Sequence, residues 1–157
     1  MTLTLRALDD ADLEPLFEWE KNRAAIELAS FTRADPSDRA AFDAHYARIR
    51  NDPSVLFRAI DDDGIFVGMV GSYAMDGDRE VTYWIDPTRW GQAIASRALA
   101  LFLSVESTRP LHGRCAEHNL GSAAVLARGG FVQIGSETSY AAGLERQVIE
   151  HIYRLDS

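Results

Sequence analysis

Three short segments of this chain carry residue types able to do chemistry. Glu80 opens the run Glu80-Val81-Thr82-Tyr83-Trp84-Ile85, where it is the sole carboxylate among β-forming and apolar residues. A carboxylate in such a strand needs water or a partner, and two readings follow: a solvated strand face, or a general base with a raised pKa. The second segment, Asp86-Pro87-Thr88-Arg89-Trp90-Gly91-Gln92-Ala93-Ile94-Ala95, lies where that strand ends and the strongest helical pattern begins. Small residues at a helix start let backbone N–H groups approach an anion, and the helix adds about half an elementary positive charge there. A phosphate site and a plain strand-to-helix turn fit this segment equally well. In the third, Asn119-Leu120-Gly121-Ser122, an amide and a hydroxyl fall in one helical turn; taken alone, it reads first as an ordinary N-cap.

The elements that must position these residues are marked by periodicity and turn chemistry. Leu3 to Ala7 alternates as an opening strand, and Asp9 or Asp10 starts a helix carrying Leu13, Leu16 and Phe17. The stretch from Ala24 to Phe31 has no clear pattern and reads as a loop. Pro36-Ser37-Asp38 opens a helix with Phe42, Tyr46 and Ile49 on one face, closed by Asn51-Asp52-Pro53. Val55 to Ile60, Ile65 to Tyr73 and Glu80 to Ile85 read as three antiparallel strands joined by turns at Asp61-Asp62-Asp63-Gly64 and Asp76-Gly77-Asp78. A helix is expected from Trp90 through about Ser107, with Ala95, Ala98, Leu99, Phe102 and Leu103 at helical spacing. A strand over Leu111 to Ala116, a helix over Leu120 to Arg128 stopped by Gly129-Gly130, and strands over Phe131 to Ser136 and Gln147 to Leu155 close the chain. This order predicts an α+β fold around one sheet.

Composition bounds the function. The 157 residues, 46% hydrophobic and 25% charged, suit a single domain over residues 1–157 without repeat, linker or low-complexity segment. A formal charge of -8 disfavours nucleic acid and anionic membrane surfaces as partners. The apolar run from Ala98 to Val105 is far short of the ~20 residues a bilayer requires, and no leader pattern opens the chain, so a cytoplasmic location is expected. Cys115 is the only cysteine, and His45, His112, His118 and His151 lack tight ligand spacing, so no metal is expected. Cys115 reads as a small buried apolar residue, Phe17 and Trp19 as core or cleft edge, and His118 as exposed before a cap. Tyr83 and Trp84 alternate across the sheet, one facing the core and the other free to line a pocket.

Together the segments resemble the GNAT superfamily of acyl-CoA-dependent N-acyltransferases, and within it the ribosomal-protein alanine N-acetyltransferase type. The likeness is carried by Glu80-Val81-Thr82-Tyr83-Trp84-Ile85-Asp86-Pro87, by Trp90-Gly91-Gln92-Ala93-Ile94-Ala95-Ser96-Arg97-Ala98-Leu99, and by Asn119-x-x-Ser122-x-x-x-Leu126-x-x-x-Gly130-Phe131. The resemblance implies a mixed sheet of about seven strands, splayed between strands 4 and 5, with flanking helices and pantetheine in the gap. It implies that the pyrophosphate of acetyl-CoA, the acyl donor, rests on Gly91, Gln92, Ala93, Ile94, Ala95 and Ser96, with Trp90 leading into that loop. It further implies that backbone N–H groups of Trp84, Ile85 and Asp86 polarise the thioester, and that Asn119 contacts the cofactor arm or orders its loop. Ser122 is implied as the proton donor to the departing thiolate; Tyr140 is a weaker choice, since related enzymes often use a tyrosine. Two positions depart from the family pattern: Ala93 replaces the loop's second glycine, and Trp90 stands where Gln or Arg is common.

The function expected is transfer of an acetyl group from acetyl-CoA to a primary amine, either a protein N-terminus or a small cationic amine, in a ternary complex. Glu80 and Ser122 are the expected catalytic pair. The alternative is a catalytically relaxed acyl-CoA-binding or regulatory module, and a homodimer is left open. Nucleotide binding on an open parallel sheet is disfavoured, because three strands follow one another without crossover helices.

Overall fold

The computed structural model describes residues 2–157. The chain opens with β1 (Leu3–Arg6), passes a 3-10 turn at Asp10–Asp12, and enters α1 (Leu13–Glu20), α2 (Arg23–Ala29) and α3 (Arg39–Asn51). The meander β2 (Leu56–Asp62), β3 (Ile65–Met75) and β4 (Asp78–Ile85) follows. A second 3-10 turn at Pro87–Arg89 leads to α4 (Ile94–Phe102), β5 (Leu111–Ala116), α5 (Leu120–Arg128), β6 (Val132–Ala141) and β7 (Arg146–Leu155). The seven strands form one sheet in the order β1-β2-β3-β4-β5-β7-β6, antiparallel throughout except for β4 and β5. This is the mixed α+β architecture expected.

Each face of the sheet has its own apolar cluster. Ile94, Ala98, Leu99 and Phe102 of α4 and Val125 and Leu126 of α5 pack with Ile60, Val67, Val70 and Val81 on one side. Leu16 and Phe17 of α1 and Phe42 and Tyr46 of α3 pack with Met69 on the other. Phe17 meets Phe42 edge-on with ring centres 5.2 Å apart, and Trp19 stacks on Phe66 at 5.1 Å.

Several expectations change in detail. The stretch read as a loop contains α2, whose cap is Asn22 accepting from the Ala25 N–H at 2.9 Å; its run Ala24-Ala25-Ile26 is too short to show a helical stripe. The hairpin turns are two residues long: Asp63-Gly64 and Asp76-Gly77 take positive φ at both positions, 50° and 83°, then 51° and 86°. Asp61 and Asp62 therefore belong to β2, and Asp61 holds Arg6 at 2.8 Å. The main helix begins at Ile94 instead of Trp90, because Gly91 and Ala93 both adopt positive φ, 83° and 59°, and it ends at Phe102, short of the expected Ser107. The strand read over Phe131 to Ser136 starts at Val132 and runs on to Ala141, pairing with β7 along its length.

The seam between β4 and β5 positions the site. Only Glu80 with His112 and Val81 with Gly113 pair across it, so the strands part beyond Val81. Gly113 permits the close approach: a Cβ there would meet a Leu126 methyl at 2.7 Å and a Val81 methyl at 3.2 Å.

Candidate active site

Where β4 and β5 part, a cavity of about 1110 Å³ opens, walled by both strands, by the start of α5, by β6 and β7, and by α3. Glu80, Thr82 and Trp84 of β4 reach it from the strand side, and Asn119 and Ser122 from the helix side. Of the residues singled out in the sequence, Glu80, Tyr83, Trp84, Cys115, Asn119 and Ser122 share these walls. Ile85, Asp86 and the loop from Trp90 to Ser96 do not line it. Ile85 ends β4, about 17 Å along the strand from Glu80 at 3.3 Å per residue, and Asp86 and the loop follow it. Tyr140 is exposed on β6, outside the cavity walls.

Glu80 is 2% exposed. Burial raises its carboxyl above the ordinary glutamate value, while a hydrogen bond from Arg114 Nε at 3.2 Å pulls the other way. The same guanidinium meets two more carboxylates, Glu150 from β7 at 3.1 Å and Glu137 from β6. Glu150 is likewise raised, first by burial, against the pull of Arg114. One fixed cation among three carboxylates leaves this wall of the cavity with an excess of acceptors for positive charge. Arg114 escaped the sequence reading, although a signal exists: it is the one fixed charge in the strand Leu111-His112-Gly113-Arg114-Cys115-Ala116.

The start of α5 folds as an N-cap motif. Asn119 Oδ1 accepts from the Ser122 N–H at 3.1 Å, and Asn119 Nδ2 donates to the Leu28 carbonyl at 3.2 Å. Both polar ends of the Asn119 amide are thus engaged within the protein. His118, exposed as expected, places Nε2 2.6 Å from the Glu27 carbonyl, so α2 is held to the β5–α5 loop by adjacent side chains. Ser122 Oγ lies 2.6 Å from the Tyr83 hydroxyl. Tyr83 faces the α4 and α5 side and its pKa is pushed well up, chiefly by burial; Trp84 faces the opposite cluster with its indole N–H buried and unpartnered. Cys115 is buried, and burial pushes its thiol up.

Backbone donors follow from strand alternation. The Asp86 N–H donates to the Val67 carbonyl at 2.8 Å, so on β4 the N–H groups of Asp86 and Trp84 point toward β3. Those of Tyr83 and Ile85 point toward the parted side. The Asp86 side chain accepts from Thr88 N and Thr88 Oγ1, each at 2.9 Å, and shapes the turn into the loop. That loop fits an anion. The first N–H groups of α4 have no partner within the helix, and the Ser96 hydroxyl in its first turn is buried and unpartnered. Among the described residues no group of three His, Cys, Asp or Glu side chains could hold a metal ion, and no helix is long and apolar enough to cross a membrane.

A parted β4–β5 seam followed by an anion-ready helix start is the feature that comparison with known proteins decides. The acetyltransferase (GNAT) domain family matches residues 2–132. The chain belongs to the GNAT acetyltransferases. Among solved structures, a probable acetyltransferase is 22% identical with a TM-score of 0.78, covering 99% of this chain and 93% of its own. RimL, a ribosomal L7/L12 alpha-N-protein acetyltransferase in complex with coenzyme A, is 21% identical with a TM-score of 0.75, covering 99% and 96%. Spermidine N-acetyltransferase from Vibrio cholerae, in complex with CoA and spermine, is 20% identical with a TM-score of 0.76, covering 96% and 94%. At these identities the likeness is one of fold. No curated protein sequence matches this GNAT chain.

Proposed function

We propose that this GNAT acetyltransferase moves the acetyl group of acetyl-CoA directly onto a primary amine, with Glu80 as general base and Ser122 as donor to the departing sulfur. The observation that carries the reading is that Glu80 of β4 and Ser122 of α5 line one cavity where β4 and β5 part. An amine must lose a proton before it attacks, and a carboxylate with a raised pKa takes that proton more readily than an ordinary one. In this scheme the N–H groups of Tyr83 and Ile85 polarise the thioester carbonyl, and Ser122 offers its hydroxyl to the sulfur. The loop from Trp90 to Ser96 holds the pyrophosphate of the donor. Asn119, with both amide ends engaged, orders the loop and leaves the cofactor arm to its neighbours.

The carboxylate excess around Arg114 favours an acceptor with positive charge, which suits a protein N-terminal amine or a small cationic amine. The fold neighbours that act on a ribosomal protein and on spermidine bracket that range. Isothermal titration with acetyl-CoA, with ATP as control, tests the donor. Mass spectrometry of peptides and polyamines incubated with acetyl-CoA tests the transfer. Acetyl-CoA binding without any acetylated amine would favour the second reading, a catalytically relaxed binding module, which the strained Ala93 in the loop supports.

A further inference from the structure

The Tyr83 side chain stands beside the proposed sulfur donor and, unlike its backbone N–H, has no assigned role in the chemistry. Its hydroxyl lies 2.6 Å from Ser122 Oγ and 3.3 Å from the Ser122 carbonyl oxygen, and both residues line the cavity. The bond between these two hydroxyls can run in either direction. If Ser122 donates to Tyr83, the Tyr83 proton turns to the carbonyl 3.3 Å away and the serine has nothing left to offer the cavity. If Tyr83 donates to Ser122 Oγ, the serine proton is released toward the cavity and toward any anion forming there. The second arrangement links two hydrogen bonds in series, each strengthening the other, and growing charge on an acceptor in the cavity favours it.

We propose that Tyr83 is a positioning residue which, by donating to Ser122 Oγ, turns the Ser122 proton toward the departing coenzyme A sulfur. The inference rests on the reading of Ser122 given above. In the step concerned the carbon–sulfur bond breaks and its electron pair stays on sulfur. The proton taken from the amine resides on Glu80, and the two hydroxyls stabilise the thiolate by hydrogen bonds without giving up a proton. A phenol held above its usual pKa by burial is a poor acid toward a thiol that titrates near 8.5, so the pair acts as donors and not as a source of protons. The same elevation keeps Tyr83 protonated at the alkaline pH where a free thiol is ionised.

The test needs no acceptor. CoA and desulfo-CoA differ only at the sulfur, so the ratio of their affinities, measured by titration calorimetry at pH 6 and pH 9.5, reports how the site treats the thiolate. In the parent protein the preference for CoA should grow with pH. In Tyr83→Phe it should be weaker by about tenfold at pH 9.5 and unchanged at pH 6. Ser122→Ala should lose as much, and the double variant should lose no more than Ser122→Ala. A Tyr83→Phe protein that keeps the parent's preference at pH 9.5 overturns the inference and leaves the proposed function standing. A parent protein that does not bind CoA overturns both. If Tyr83→Phe fails to fold, Tyr83→Met, which also lacks the hydroxyl, takes its place, with the same loss expected at pH 9.5 and a retained preference again overturning the inference.

Discussion

Ala93 holds φ 59° and ψ 24°, the left-handed region, at the N-cap of α4. For a residue with a Cβ that conformation costs roughly 1–2 kcal/mol, and glycine escapes it. Alanine is also among the poorest N-caps, worse than glycine. Against these gains, glycine loses about 0.5–1 kcal/mol more backbone entropy on folding. Ala93→Gly is therefore expected to stabilise the folded, CoA-bound protein by about 0.5–1 kcal/mol, or a rise of roughly 2–4 °C in Tm per kcal/mol at this size. The strain is charged to folding if the loop keeps this shape without ligand, and to binding if it relaxes. Denaturation in saturating CoA adds the two, because ligand binding and folding are linked. A variant whose melting in saturating CoA equals or falls below that of the parent would refute the assignment of strain to this residue.

Glu80→Gln should lower kcat by ~10² or more at neutral pH with acetyl-CoA affinity nearly intact, checked by steady-state kinetics and calorimetry. In the parent, activity should rise with pH through a carboxyl pKa above 4.5, since the base must be ionised. The sign is opposite for stability: a carboxyl raised on folding binds more protons in the folded state, so its contribution is present at low pH and is lost as pH rises through the folded value. Glu80→Gln should flatten that fall in a pH series of denaturant melts. Ser122→Ala should slow single turnover about tenfold with little change in CoA affinity, and less so with acyl donors whose thiols leave more easily; equal rates would remove Ser122 from the mechanism. Ala95→Asp should abolish acetyl-CoA binding by bulk and like charge at the α4 start, and unchanged affinity in a folded variant would sink the loop assignment. Gly113→Ala should cost about 1–3 kcal/mol in denaturant melts, because its Cβ would press into Leu126.

The elements legible in the sequence were those with local causes. Asp-Gly pairs marked two hairpins, Asn119 and Gly129-Gly130 bounded α5, and long alternating runs marked β2 to β4. Boundaries set by a backbone conformation without a dedicated residue were not legible. Nothing in the identity of Ala93 announces a left-handed angle, so the sequence pattern alone places the helix start at Trp90. Glu80 and Ser122 could be picked out because residue type and position agreed with a family pattern. Their partners could not: Arg114, Glu137, Glu150 and Tyr83 come from four different strands, and only the sheet order brings them to one cavity.

The β5–α5 loop links the two sides of that cavity. α2 ends with carbonyls that lack helical partners, as every helix does. Two of them, on Glu27 and Leu28, are met by His118 and Asn119, so the loop that caps α5 also finishes α2. Ser122, which follows in the same turn, takes its place from that cap through the bond from its N–H to Asn119 Oδ1. A shift of α2 against the sheet would therefore pull on Asn119, and through it on the hydroxyl proposed to meet the sulfur. The end of α2 and the segment after it line the cavity through Ala29, Phe31 and Arg33. In the proposed scheme the same amide ties a wall of the cavity to the turn that carries Ser122, which is the coupling that direct transfer in a ternary complex would require.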